Sequence, residues 1–179
     1  MQLLVGVCSL LCSLHVAAEQ GIYFFRVHSP DKLKYTYEIR LAKDFGRDFW
    51  RLYKNVELVA TEPSHACGPL QNAGRVRGRV ALVERGECSF VTKALAVEAA
   101  GGLALMVTDS AKADDGMLEM ISDESHRNVA IPAVYLPGNH GKIFQSHFKY
   151  GQEVVRIDIP LNLTLVALDQ VRKPPWDLW

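Results

Sequence analysis

Apolar positions along this chain fall into short runs separated by turn-forming residues, which predicts strands with a few helices between them. Ile22-Tyr23-Phe24-Phe25-Arg26-Val27 is aromatic and β-branched, as strands are, and Ser29-Pro30-Asp31 ends it. Lys34 to Ile39 alternates and predicts a second strand. Asp44 to Trp50 is irregular and aromatic. Glu57-Leu58-Val59-Ala60 predicts another short strand, and Pro63 to Gly74 a loop that carries Cys67. Val80-Ala81-Leu82-Val83 is an uninterrupted apolar run, the mark of a strand buried on both faces. Arg85-Gly86-Glu87-Cys88 then turns the chain, and Ser89 caps a helix running to about Ala100. Phe90, Ala94 and Val97 share one face of that helix, with Thr92, Lys93 and Glu98 turned away. Gly101-Gly102 stops it, and Leu103 to Val107 is a second buried strand. Strand, helix, strand in that order predicts a parallel pair joined by a right-handed crossover.

Farther along, Ala111 to Asn128 is polar and acidic and predicts a surface excursion with some helix. Ile131 to Leu136 reads as a strand, with Pro132 suited to its start or to a sheet edge. Gly138 to Tyr150 predicts a helix presenting Ile143, Phe144, His147 and Phe148. Glu153 to Ile159 alternates cleanly, as a half-solvated strand does, and Leu161 to Leu168 alternates too. Pro174-Pro175 predicts an extended tail that resists helix. No internal repeat is present.

Composition narrows the function classes. A chain of 179 residues, 49 % hydrophobic, suits one domain with a real core. Twenty basic and 20 acidic residues cancel, so charge gives no case for nucleic acid as a partner. Leu3 to Val16 is apolar, shorter than the roughly 20 residues that span a bilayer, and followed by Val16-Ala17-Ala18. That pattern predicts a signal peptide over 1–18, a secreted protein and no stable membrane insertion. Cleavage would remove Cys8 and Cys12 and leave Cys67 and Cys88, which in an oxidising compartment read as one disulfide. Secretion also gives meaning to Asn162-Leu163-Thr164, a sequon that predicts a glycan on Asn162.

The side chains with chemical potential have competing readings. Cys88 lies between a buried strand and a helix start, where a thiol pKa falls. With His126 or His140 as base it would suit a secreted hydrolase; a bridge to Cys67 removes that possibility. The turn also fits an anion held on the helix N-terminus. Asp109, Asp114, Asp115 and Glu119 form an acidic cluster, but their spacing is not that of a calcium-binding EF-hand loop. His28, His65, His126, His140 and His147 lack paired zinc spacing, and no nucleotide-binding glycine pattern or nucleophile elbow occurs. No cofactor and no metal are expected.

Together, Val80-Ala81-Leu82-Val83, Arg85-Gly86-Glu87-Cys88-Ser89-Phe90, Lys93, Gly101-Gly102 and Ile131-Pro132-Ala133-Val134 resemble the protease-associated (PA) domain, and Cys67 matches the upstream cysteine found where its bridge exists. Beyond the domain, Ala42-Lys43-Asp44-Phe45-Gly46 and Pro174-Pro175-Trp176 also resemble a group of small secreted glycoproteins that carry it. The resemblance implies an α/β fold whose β-barrel or sandwich core is flanked by helices, no catalytic residues, and an accessory role in protein or peptide contact. The expected organisation is N-terminal strands over 19–55, a domain core over 56–159, and a strand with a Pro/Trp tail over 160–179. The expected function is that of a secreted, non-catalytic binding glycoprotein, with a secreted hydrolase or a passive structural glycoprotein as alternatives. The expected contact site is the turn at Arg85, Gly86 and Glu87, where glycine admits a close backbone and Arg85 offers a fork of donors. On this reading Arg85→Ala weakens binding without lowering the melting temperature.

Overall fold

In the computed structural model, residues 22–109, 118–151, 153–162 and 171–178 are described. Seven strands close on themselves: β1 (Ile22–Ser29), β2 (Thr36–Leu41), β3 (Tyr53–Ala60), β4 (Val80–Glu84), β5 (Ala104–Thr108), β6 (Ala133–Leu136) and β7 (Val155–Leu161). Their order around the barrel is β1-β2-β6-β5-β4-β3-β7, with β7 back against β1. The barrel is of two kinds. β3, β4, β5 and β6 run parallel, while β1, β2 and β7 pair antiparallel with their neighbours. The helices are a single turn α1 (Ala73–Val76), then α2 (Phe90–Ala99) and α3 (Gly138–Tyr150). α2 supplies the expected crossover between the parallel strands β4 and β5.

Two cores explain the two apolar rhythms. Leu82, Met106 and Val134 point into the barrel, where they meet Phe25, Tyr37, Ile39, Ile157 and Ile159. The alternate residues Ala81, Val83, Leu105, Val107 and Tyr135 point outward and are covered by Val91, Ala94 and Val97 of α2. Strands β4 to β6 are therefore buried on both faces and read as unbroken apolar runs. β7 buries one face only, and its burial alternates as its sequence does. Phe144 of α3 enters the barrel core, with its ring 5.8 Å from Phe25 and 5.1 Å from Tyr37. Burial pushes the Tyr37 hydroxyl pKa up, and that hydroxyl donates to Leu33 O at 2.9 Å.

Several expectations need correction. β3 begins at Tyr53, four residues before the expected start at Glu57, because antiparallel pairing with β7 extends it. Pro132 stands directly before the start of β6, as one of its two readings had it; the edge reading fails, since β2 and β5 flank the strand. The tail coils into a 3-10 turn over Pro175–Leu178, where a first-turn proline has no lost hydrogen bond to regret. Residues 118–128 of the acidic excursion contain no helix, and Met120 in them is fully buried. Lys93, expected to point away, is fully buried as well. The signal peptide over 1–18, the residues 110–117 and the alternation over 163–168 lie outside the described residues.

α3 passes very close to the end of β5. A Cβ on Gly141 would stand 1.4 Å from Thr108 Oγ1, an impossible contact. Gly141→Ala should therefore destabilise the protein by about 1–3 kcal/mol through overpacking, although alanine is the better helix former by about 1 kcal/mol. Thermal unfolding measures this; an unchanged or raised melting temperature would mean that α3 does not pack on β5 at this distance.

Candidate functional site

Because β3 to β6 are parallel, their C-terminal ends open at the same end of the barrel, the end where ligands gather in parallel α/β sheets. The loop after β3 and the turn after β4 are laced together there. Glu84 N donates to Ser64 O at 2.8 Å, and Arg85 N donates to Thr108 O at 2.8 Å. Cys67 and Cys88 form the expected disulfide between loop and turn, with Cα atoms 5.7 Å apart. Gly86 has φ +112° and Glu87 φ +66°, so the chain reverses through two left-handed residues. Glycine takes that conformation freely, whereas glutamate is held in it by its surroundings.

The holding group is Lys93. Its ammonium donates to His65 O and to Gly86 O, both at 2.6 Å, and lies 3.8 Å from Cys67 Sγ. One buried cation thus joins loop, turn and helix α2 beside the disulfide. Desolvation lowers the Lys93 pKa, while Glu87 and Glu84 pull it back up. His65 completes the arrangement, with Nε2 3.4 Å from Glu87 Oε1 and 3.9 Å from Glu84 Oε2.

Arg85 reaches Asp109, at the end of β5, with Nη1 to Oδ2 of 3.1 Å. The Asp109 carboxylate is almost fully buried and also accepts from the Tyr135 hydroxyl at 3.4 Å. Burial, with Asp109 next in effect, pushes the Tyr135 pKa up to about 12. Arg85→Ala would remove one cation paired with this buried carboxylate, which argues against the expectation that it leaves stability untouched. At the start of α2, Ser89 accepts from Thr92 N at 3.2 Å as the predicted cap. Ser89 Oγ also donates to Asp123, which pairs with Arg127. Hydrogen bonds from Ser125 and Ser89 hold the Asp123 carboxyl well below the usual carboxylate range. The helix N-terminus that fits an anion already has a carboxylate of this chain beside it.

The family model of the PA domain matches residues 54–144, just over half of the chain. The chain belongs to the PA domain family. Its likeness to "PRADC1-like protein" of Drosophila melanogaster is 43 % identity over 163 residues, covering 89 % of this chain and 83 % of that protein. "Signal peptide peptidase-like 2" of Arabidopsis thaliana is 37 % identical over 106 residues, 56 % of this chain but 19 % of that protein. "ER degradation-enhancing alpha-mannosidase-like protein 3" of Homo sapiens is 28 % identical over 62 % of this chain and 12 % of its own length. Among solved structures, an aminopeptidase from Aneurinibacillus sp. strain AM-1 superposes with TM-score 0.53 at 17 % identity, over 78 % of this chain and 30 % of that one. That likeness concerns the fold. The PA domain match begins within β3, yet β1, β2 and β7 from outside it are staves of the same barrel.

Within this PA domain the structure brings Arg85, Gly86, Glu87, Cys67, Cys88 and Asp109 to one end of the barrel. Glu87 is the most exposed of the acidic groups near His65. Asp114 and Asp115 lie outside the described residues, and Glu119 pairs with Lys43 at 3.1 Å. His140 is buried against Trp176, whose indole N–H donates to Nδ1 at 3.2 Å, with Asp177 Oδ1 3.5 Å from Nε2. His28 pairs with Asp158 at 2.9 Å, and His147 Nε2 meets Glu153 O at 2.8 Å. His126 lines a separate cleft of about 550 Å³ with Asp44 and Arg127. Among the described residues no three His, Cys, Asp or Glu side chains group as metal ligands. Asn162 is exposed directly after β7. Sequence reasoning placed Lys93 in the family motif but turned it to solvent, and missed Asp123; the signals for Lys93 were that motif and its place a turn after the Ser89 cap, level with the reversing loop.

Lys93→Met should lower stability by about 2 kcal/mol, since two carbonyls lose a charged donor, and the fall should shrink in a chain lacking the disulfide. The pH dependence has a definite sign. A folded-state pKa below the unfolded value means the unfolded chain binds more protons between the two. Stability of the parent chain relative to Lys93→Met should therefore rise from the lowered pKa up to about pH 10.4. Denaturant unfolding across the alkaline range measures this, and a falling difference would contradict the burial of a cation.

Proposed function

We propose that this chain is a secreted, non-catalytic glycoprotein whose PA domain binds a protein or peptide at the turn Arg85 to Glu87. The observation that carries this reading is the pinning of that turn by the Cys67–Cys88 disulfide and the Lys93 ammonium. A surface fixed before binding loses little freedom on binding. The disulfide also consumes the sulfur on which the hydrolase reading of Cys88 depends. Outward groups at the turn are Glu87, two-thirds exposed, and the half-exposed Arg85 fork beyond its tie to Asp109. They suit a segment that offers backbone polar groups and a basic side chain.

Secretion is supported by the apolar stretch Leu3 to Val16 with its small-residue exit, and by the disulfide itself, a bond of oxidising compartments. Among the described residues no helix is long and apolar enough to cross a membrane. Asn162, exposed after β7 within its sequon, supports the glycan.

Expression in a secretory cell tests the first part. The chain should reach the medium, and glycosidase should shift its mobility in the parent but not in Asn162→Gln; retention as a membrane-bound chain would contradict secretion. Affinity capture with the secreted chain tests the second. Glu87→Gln should lose the captured partner about tenfold or more at a temperature well below its melting point, where parent and variant are both folded. Equal capture by parent and variant would move the contact away from this turn.

A further inference from the structure

The Lys93 ammonium has three donors. Two go to His65 O and Gly86 O at 2.6 Å, and the third reaches Cys67 Sγ at 3.8 Å. A disulfide sulfur is a weak acceptor, so one donor of this fully buried cation is poorly answered while the bond is closed. Were the bond to open with its electron pair on Cys67, the same donor would face a thiolate, a full negative charge in low-dielectric surroundings. His65 O and Gly86 O also lie near this sulfur, at 3.6 and 3.9 Å, but they are partial charges already turned to the ammonium. Glu87 and Glu84 attract Lys93 as well, and each approaches His65.

Cys88 has different surroundings. Its sulfur lies 4.0 Å from a carbonyl, His65 O, and its neighbour in the chain is the acidic Glu87. The helix start that follows, where a thiolate would be stabilised, already holds the Asp123 carboxylate through Ser89. Access differs too. Both cysteines are half-buried, but Cys88 follows the exposed residues Arg85, Gly86 and Glu87, whereas Cys67 follows the fully buried Ala66.

We propose that the Cys67–Cys88 bond is a thiol–disulfide exchange site, attacked at Cys88 by a thiolate from solution, with Cys67 leaving as a thiolate paired to Lys93. In the first step the incoming sulfur bonds to Cys88 Sγ as the bridge breaks, and the bonding electron pair goes to Cys67 Sγ. A second thiolate, from the same dithiol or another thiol molecule, then attacks the incoming sulfur. Cys88 leaves with its electron pair and takes a proton from water. The attacking thiols are oxidised by two electrons to a disulfide, and the bridge is reduced. Exchange is faster when the leaving sulfur is the weaker base, and Lys93 makes Cys67 that sulfur. The turn then loses its covalent tie and keeps its electrostatic one.

The test exposes the folded, oxidised parent chain to reduced glutathione, quenches with iodoacetamide, and reads each cysteine by peptide mass. Glutathione on Cys88 with an alkylated Cys67 should exceed the reverse pattern by about tenfold or more. The reverse pattern, an even mixture, or no reaction until denaturant is added overturns the proposal. A second measurement reads the role of Lys93. Cys88→Ser leaves Cys67 as a lone thiol, whose alkylation rate should reach half its maximum below about pH 7.5, against about 8.5 for an ordinary thiol. Adding Lys93→Met should return that midpoint to about 8.5 or above. An ordinary midpoint with Lys93 in place, or one that Lys93→Met leaves unmoved, overturns the ion pair and the proposal with it. Should Cys88→Ser fail to fold, the glutathione pattern alone decides, because it is read on the parent.

Discussion

The functional end of this molecule depends on one ammonium group. Lys93 is fully buried, and burying a charge is costly unless hydrogen bonds compensate it. The compensation comes from two backbone carbonyls, His65 O and Gly86 O, on segments that sequence alone leaves far apart. Left-handed Glu87, the reversal at Gly86 and the course of the loop from Ser64 to Cys67 all converge on that cation. The disulfide beside it limits how far loop and turn can part when the chain opens. Covalent and electrostatic ties thus act on the same two segments, and neither is redundant: one restricts separation, the other sets conformation.

The barrel supplies what these ties require. A parallel half brings the ends of β3, β4 and β5 into one plane, so the loop, the turn and Asp109 come together without any of them being long. The antiparallel half closes the barrel through β1 and β7, so none of these strands has an open edge. α2 then serves twice. Its apolar residues Val91, Ala94 and Val97 cover the outer face of the parallel strands, and Lys93, between them in sequence, reaches back under the turn. The same helix is fixed at its start by Ser89 and by Asp123 from the excursion after β5.

Much of the fold is written in local pattern. The doubly buried strands β4 and β5 announce themselves as apolar runs, and the glycines after Ala100 end α2 where expected. The bounds of α3 and the alternation of β7 are equally direct. What local pattern misses is decided at long range. Lys93 reads as a solvent-facing polar residue because periodicity sorts residues by polarity, and its carbonyl partners lie 28 and seven residues away. Asp123 lies 34 residues from Ser89, so its place at the helix start is invisible in the acidic run that contains it. Arg85 was legible as a site residue, but its tie to Asp109 across 24 residues was not.

The central claim is that a buried cation fixes the turn before any partner arrives. Native-state hydrogen exchange at the amides of Glu84, Arg85 and Cys88, which donate to Ser64 O, Thr108 O and Gly86 O, tests it most directly. In the oxidised parent chain these amides should exchange slowly, and in Lys93→Met they should exchange at least tenfold faster while amides in the centre of β5 and β7 change little. Fast exchange of all three in the parent, or equal rates in parent and variant, would contradict the account.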